Sequence, residues 1–380
     1  MYLDNAATTR PNKEILDAIK PYITDMWHNP SAIYSDAIKV REDIESVRCK
    51  IANYINCNSD EIYFTSGGSE ANNWVIQGFI RKCRKDNVKP IIITSNIEHK
   101  SILRCLENIK VEYFKLNVNN KGFVSAVELE ELLEQLSNDT TRILVTIQYA
   151  NNEIGTIQDI ELLCDISHEY NALFHTDAVQ AFGNISIDIK NNLGVDFMSV
   201  SGHKIGALKG VGFLYKKNGV EIEPLIYGTQ EKGMRGSTEN VVGIVSLGKA
   251  LELYEVDFEK IVNCREYIIN ELIDRKSVKI NGHRFIRLPN NISITLKDNI
   301  SNQAFIHFLE TYDVQVASGS ACNSNTIEKS YVLKAIGLID EDIDKTLRIT
   351  LPHNINLYDA KSIVDTIVKA IDEFKIINSN

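Results

Sequence analysis

Five short stretches of the sequence carry residue types able to do covalent or acid–base chemistry. The run Asp196-Phe197-Met198-Ser199-Val200 leads into Ser201-Gly202-His203-Lys204, which sets a lysine just past an apolar strand. A lysine desolvated there can form a Schiff base, because burial disfavours its charged form and leaves a nucleophilic amine. A second pair, His99-Lys100, follows Ile91-Ile92-Ile93, and spacing does not decide between the two lysines; either also reads as a solvated surface charge. Asp177 lies just beyond Leu173-Phe174-His175, where an ionised carboxylate is costly unless a cation faces it. The alternative is a carboxylate capping the next turn, with Gln180 sharing its solvated face. Phe64-Thr65-Ser66-Gly67-Gly68-Ser69-Glu70 passes from a strand into a helix, and its glycines would let backbone N–H groups approach a phosphate. The plainer reading is a strand-to-helix turn with Ser69 as N-cap. Cys322 sits in Ala317-Ser318-Gly319-Ser320-Ala321-Cys322-Asn323-Ser324-Asn325, a small-residue stretch that could present a nucleophilic thiol on an accessible loop or merely contain a cysteine.

The elements that must position these groups follow from hydrophobic patterning. From about Asn12 to about Glu255, short apolar runs alternate with helix-length amphipathic stretches. The runs are Ile62-Tyr63-Phe64, Ile91-Ile92-Ile93, Val111-Glu112-Tyr113-Phe114, Ile143 to Ile147, Leu173-Phe174-His175, Phe197 to Val200 and Gly212 to Tyr215. Continuous apolar strands between helices predict an α/β layer with a mostly parallel sheet covered on both faces. Functional groups then belong at strand carboxyl ends. After Val256 a helix over Phe258 to Asp274 precedes strands at Asn291 to Leu296, Val314 to Ala317 and Leu347 to Leu351, and Leu357 to Phe374 has helical spacing. We therefore expect a large α/β domain over 12–255, and a smaller α+β domain from 1–11 and 256–380 that carries the Cys322 loop.

Composition narrows the function. With 380 residues, 44% hydrophobic and 24% charged, the chain has enough apolar content to fold without staples or metals. Lys+Arg 41 against Asp+Glu 51 leaves a net charge of −10, which works against phosphate backbones and anionic lipid, so neither nucleic acid nor membrane is an expected partner. Seven cysteines, with no C-x-x-C pair, read as reduced thiols rather than a disulfide framework. Cys49, Cys83, Cys105, Cys164 and Cys264 fall in helical patterns as small hydrophobes. Cys164 and His168 lie one turn apart without a third ligand nearby, so no metal is expected. Met1-Tyr2-Leu3-Asp4-Asn5 lacks the features of a signal peptide, and no apolar run is long enough to span a bilayer. A cytoplasmic protein is the expectation.

Taken in order, Tyr2-Leu3-Asp4-Asn5-Ala6-Ala7-Thr8-Thr9, Glu98-His99-Lys100, Asn151-Asn152-Glu153-Ile154-Gly155, Ser201-Gly202-His203-Lys204 and Ser318-Gly319-Ser320-Ala321-Cys322 resemble the cysteine desulfurases of the NifS/IscS type. The match runs from the N-terminus to about Arg348, and the ordered combination is far more specific than any one motif. The resemblance implies a homodimeric pyridoxal 5'-phosphate (PLP) enzyme of fold type I, the aspartate-aminotransferase fold. It implies Lys204, not Lys100, as the Schiff-base lysine and Asp177 as the partner of the pyridinium nitrogen. His99 would stack on the ring and assist proton transfers, and Asn152 and Gln180 would bond the cofactor's edge. Gly68, Ser69, Ser201 and His203 would hold the phosphate, with Thr238 reaching it from the partner subunit. Arg348 would clamp the substrate carboxylate, and Asn152 would also contact substrate. The implied reaction converts L-cysteine to L-alanine and leaves the sulfur on Cys322 as a persulfide.

Ser318 to Tyr331 resembles the long-loop group, whose members pass sulfur directly to acceptor proteins in iron–sulfur cluster assembly or tRNA thiolation. The chain closes soon after its last helical stretch, without the longer tail some members use to dock an iron–sulfur scaffold. It departs from the family pattern at Gly206-Ala207-Leu208-Lys209-Gly210, where Gly-Pro-Lys-Gly is usual, and at Arg235-Gly236-Ser237-Thr238, where the order is usually Arg-Ser-Gly-Thr. Ile349-Thr350-Leu351 also replaces the usual ending after Arg348. The rival readings are a selenocysteine lyase or other class V PLP enzyme, an aminotransferase, and a non-catalytic scaffold with the same fold. The Ser-Gly-Ser-Ala-Cys setting of Cys322 argues against an aminotransferase, which needs no accessible thiol.

Overall fold

The computed structural model describes residues 1–276, 278–297, 300–319 and 329–379; Cys322 lies outside the described residues. Each of the seven apolar runs contributes a strand: β1 (Ile62–Thr65), β2 (Lys89–Ser95), β3 (Glu112–Leu116), β4 (Thr141–Thr146), β5 (Leu173–Asp177), β6 (Phe197–Ser201) and β7 (Gly212–Lys216). They form one sheet in the order β1-β7-β6-β5-β4-β2-β3. Only β7 runs antiparallel to its neighbours. This is the mostly parallel α/β layer that the apolar runs predict.

Burial on both faces explains the unbroken apolar runs. On one side the helix Gly68–Lys85 packs Trp74, Val75 and Phe79 over Ile92, Leu144, Phe197 and Leu214. On the other, Ile44, Val47 and Ile51 of the helix Ser35–Tyr54 and Leu247 of the helix Val241–Leu253 cover Ile93, Val145 and Val200. Parallel strands need crossover connections, and the helices Lys100–Asn108, Ala126–Leu136 and Ile160–Glu169 supply those from β2 to β5, whereas Ser35–Tyr54 and Val241–Leu253 cover the sheet from before β1 and after β7.

A second, antiparallel sheet is built from β8 (Lys279–Ile280), β9 (Asn291–Thr295), β10 (Ala317–Ser318) and β11 (Thr346–Thr350), in the order β10-β11-β9-β8. The helices Phe258–Lys276 and Leu357–Ser379 bury Ile268, Leu272, Ile363 and Ile367 against Ile292, Ile294, Leu347 and Ile349. Leu3 joins this core from the N-terminus, its N–H donating to the Gln315 carbonyl at 2.8 Å and its carbonyl accepting from Thr350 N–H at 2.7 Å.

That pairing corrects the strand expected over Val314 to Ala317. The backbone of Gln315 bonds the N-terminal segment through Met1 and Leu3, and ladder pairing with β11 is confined to Ala317 and Ser318. Cys49 departs from its helical neighbours by facing solvent, whereas Cys83, Cys105, Cys164 and Cys264 are buried. A smaller cluster of Ile97, Ile154, Val332, Leu333 and Ile336 seats the short helix Tyr331–Ala335 on the segments that follow β2 and β4.

Candidate active site

A cavity of about 300 Å³ opens at the carboxyl ends of the central strands. Gly68, Ser69, His99, Asn152, Asp177, Gln180, Ser201, His203, Lys204 and Arg348 all line it. Lys100 and Thr238 do not. Ala6, Ala7, Asn72, Gln148, Ala150 and Val179 complete the wall, and no motif in the sequence marks them as a set.

At one end stands the start of the helix Gly68–Lys85. Its N-cap is Gly67 with no side-chain cap bond, so Ser69 is not the cap that a plain turn would use. The first N–H groups of a helix lack intrahelical acceptors, and this end carries the positive side of the helix dipole. Gly68 has no room for a side chain, since a Cβ would lie 2.4 Å from Val179 Cγ2 and 3.7 Å from Ser201 Cβ. Ser201 ends β6, and His203 and Lys204 sit on the single turn Gly202–Ile205 that follows. Glycine N–H groups, two serines and a histidine make a donor set suited to an anionic group.

Lys204 Nζ donates to the carbonyls of Ala6 at 2.6 Å and Ala7 at 2.9 Å, and Gln180 Nε2 donates to the same Ala6 carbonyl at 3.0 Å. Burial, reinforced by the Arg348 cation, lowers the lysine to about 8, against the opposing pull of Asp177 and Asp4. A lysine near neutrality is a competent amine nucleophile and base. His203 is pushed down to about 4 by burial and by Lys204 and Lys209. It stays neutral, with Nδ1 3.1 Å from Thr8 Oγ1.

Asp177 closes β5 and is buried, with Oδ1 accepting from Val179 N–H at 2.9 Å and Oδ2 from Asn72 Nδ2 at 2.7 Å. Both donors are neutral groups. His99 is the N-cap of the helix Lys100–Asn108, exposed to the cavity and held through Nδ1 by Ser101. Burial holds its pKa below the ordinary value, with Asp177 opposing and Lys204 and Lys100 assisting.

Arg348, on β11, is 1% exposed and reaches the cavity from the smaller sheet. Its Nη2 donates to Asp4 Oδ1 at 2.6 Å and its Nη1 to the Asn152 carbonyl at 3.4 Å, while Nε has no hydrogen-bond partner. Asp4 comes from the N-terminal strap that also supplies Ala6 and Ala7. The site therefore joins residues from both sheets and from the first eight residues of the chain.

The family model for aminotransferase class-V matches residues 1–358. The chain belongs to the class-V aminotransferase family. It is 40% identical to a protein named cysteine desulfurase IscS from Dictyoglomus turgidum, over 100% of this chain and 96% of that one. It is 39% identical to the cysteine desulfurase IscS of Methanosarcina thermophila, over 99% and 93%. Of solved structures, a NifS-like protein superposes with a TM-score of 0.88 at 30% identity, covering 98% of this chain and 99% of that one. A structure described as SspA in complex with cysteine gives 0.81 at 34% identity, covering 93% and 99%.

Two carboxyls next in sequence to the lining residues His99 and Asn152 are themselves buried and do not line the cavity. Glu153 is raised to about 7 by burial, against a bond from Ser330 Oγ at 2.5 Å and the Arg348 charge. Glu98 is raised to about 8 by burial, against the bond from Ser95 Oγ at 2.5 Å. The Glu98 carbonyl also accepts from Tyr331 Oη at 2.6 Å. Ser330 and Tyr331 start the helix that follows the Cys322 segment in sequence, so this root is bonded to residues adjacent to His99 and Asn152.

Thr238 is exposed on its own chain. The stretch before it shows why the exchanged order of Gly and Ser matters. Ser237 takes a φ of 96°, a region that favours glycine, whereas a Cβ on Gly236 would meet the Tyr227 carbonyl oxygen at 2.3 Å. The tight approach of Gly236 to Tyr227 and Gly228 leaves the strained angle to a serine. Among the described residues no His/Cys/Asp/Glu cluster could hold a metal.

Proposed function

We propose that this protein is a PLP-dependent cysteine desulfurase that converts L-cysteine to L-alanine and passes the sulfur to Cys322 as a persulfide. The observation that carries the reading is the convergence of Lys204, Asp177, His99 and Arg348 on one cavity whose far end is an uncapped helix start beside Gly68. That donor set fits PLP: Gly68, Ser69, Ser201 and His203 would hold the phosphate, Asp177 the pyridinium nitrogen, and Lys204 the aldehyde carbon. When bound, PLP supplies the electron sink that makes the bonds at the substrate's carbons labile. Lys204, lowered by burial, is suited to take a proton from the substrate and return it. Asn152 and Gln180 would orient the bound groups, and Arg348 would hold the substrate carboxylate with the N–H groups that Asp4 does not occupy. Overall, the cysteine C–S bond breaks and an S–S bond to Cys322 forms, so L-cysteine plus thiol becomes L-alanine plus persulfide with no outside oxidant.

We further infer a cytoplasmic homodimer that hands sulfur to an acceptor protein for iron–sulfur assembly or tRNA thiolation. Thr238, exposed on its own chain, would reach the phosphate of a second copy, and exposed Trp27, Ile33 and Tyr227 are apolar surface for such a contact. The net charge of −10 favours neither nucleic acid nor anionic membrane as a partner. We divide the chain into a large domain over 12–255 and a small one from 1–11 and 256–380. The test is incubation of PLP-loaded protein with L-cysteine and a reductant. Alanine and sulfide should form in equal amounts, and a trapped persulfide should vanish in Cys322→Ser. A persulfide that persists in that variant, or bound PLP without turnover, overturns the proposal.

A further inference from the structure

No motif points to Asn72 or Ser101, yet the fold places both between His99 and Asp177. Asn72 lies one helical turn past Gly68, and its side chain is 1% exposed. Its Nδ2 bonds Asp177 Oδ2 at 2.7 Å and Ser101 Oγ at 2.9 Å. Turning the amide over would set Oδ1 against an acceptor-only carboxylate, so the amide nitrogen must face Asp177, and its second hydrogen goes to Ser101 Oγ. That hydroxyl, already an acceptor, points its own hydrogen at His99 Nδ1, 2.8 Å away. The Ser101 backbone N–H, which can only donate, reaches the same Nδ1 at 3.1 Å.

Every bond in this relay has one possible direction. Two donors converge on Nδ1, so it keeps its lone pair and the ring proton sits on Nε2. We propose that Asn72 and Ser101 are positioning residues that hold His99 neutral as the Nε2–H tautomer and tie its ring to the Asp177 carboxylate. His99 then faces the bound group as a hydrogen-bond donor, and proton abstraction falls to Lys204. Burial lowers the pKa of His99, and the charged groups acting on it are Asp177, which opposes that shift, and Lys204 and Lys100, which assist it. What His99 faces rests on the desulfurase reading; the direction of the bonds does not.

The decisive variant is Asn72→Asp, which replaces the donor with an acceptor of the same shape. Ser101 would then turn its hydroxyl hydrogen toward position 72, leaving the backbone N–H as the one remaining donor to His99 Nδ1. The readout is the imidazole nitrogen NMR spectrum of histidine-labelled full-length protein with and without PLP, His99 being assigned among the 8 histidines by loss of its signals in His99→Gln. We expect only the Nε2–H form in the wild type and in Ser101→Thr, which keeps the hydroxyl. In Asn72→Asp the Ser101 backbone N–H remains as a donor to Nδ1, so the expected change is in the titration midpoint of His99, at which Nδ1 gains its proton, raised by at least one pH unit. Ser101→Ala, which deletes one donor, should raise the midpoint by less and serves if Asn72→Asp does not fold. A proton on Nδ1 in the wild type, or midpoints unmoved in the variants, overturns the proposal. Neither result depends on whether L-cysteine is turned over, which the alanine assay reads separately.

Discussion

Replacing Arg348 with Lys tests the division of labour around the expected substrate carboxylate. The guanidinium spends Nη2 on Asp4 at 2.6 Å and holds Asn152 only loosely through Nη1 at 3.4 Å, which leaves Nε and much of Nη1 for an incoming carboxylate. A lysine keeps the charge but has a single nitrogen, and the Asp4 carboxylate competes for it. One charge-assisted hydrogen bond to substrate is then lost, at about 1.5–3 kcal/mol, which is roughly a 10- to 150-fold fall in kcat/KM. The loss should enter mainly through KM, because the bond is made to the bound substrate as well as during reaction. The assay is alanine formation over a range of L-cysteine concentrations, alongside the visible band of the bound cofactor. A kcat/KM within twofold of wild type would refute the assignment of Arg348 to the substrate. A lost band with unchanged KM would move the arginine to the cofactor.

Other outcomes follow from particular contacts. Gly68→Ala should weaken PLP binding at least tenfold, read by cofactor titration, because the new Cβ would lie 2.4 Å from Val179 Cγ2, in the residue whose N–H braces Asp177. Ser237→Gly should raise stability by about 1 kcal/mol through relief of the φ of 96°, whereas Gly236→Ala should lower it, both measured by urea unfolding. Glu98 and Glu153 titrate near 8 and 7 in the folded chain against 4.5 for a free glutamate, so the folded state binds more protons and stability falls as pH rises through that window. Glu153→Gln should flatten part of that slope in unfolding curves taken at pH 5 and pH 8. An unchanged slope would count against a buried, protonated Glu153.

Much of the large sheet was legible because strands buried on both faces are mostly apolar and admit a polar side chain such as Ser199 only where it finds a partner, so Ile91-Ile92-Ile93 and Phe197 to Val200 stand out in the sequence itself. The choice between Lys204 and Lys100 was not legible from spacing; the cavity includes one and leaves out the other. The strand expected over Val314 to Ala317 is present only in part, as β10 from Ala317, because Gln315 bridges instead to the N-terminal segment through Met1 and Leu3, more than three hundred positions away, and no local pattern encodes that pairing.

Composition, apolar periodicity and ordered motifs are local properties, and they determined the α/β class, the family and the chemical types present. The Asp4–Arg348 pair, the parking of Lys204 on Ala6 and Ala7, and the Asn72–Ser101 relay were decided by tertiary structure alone. Hydrogen-bond direction and burial depend on which atoms come within about 3 Å of one another. That proximity exists only once both sheets and the N-terminal strap have closed around the same cavity.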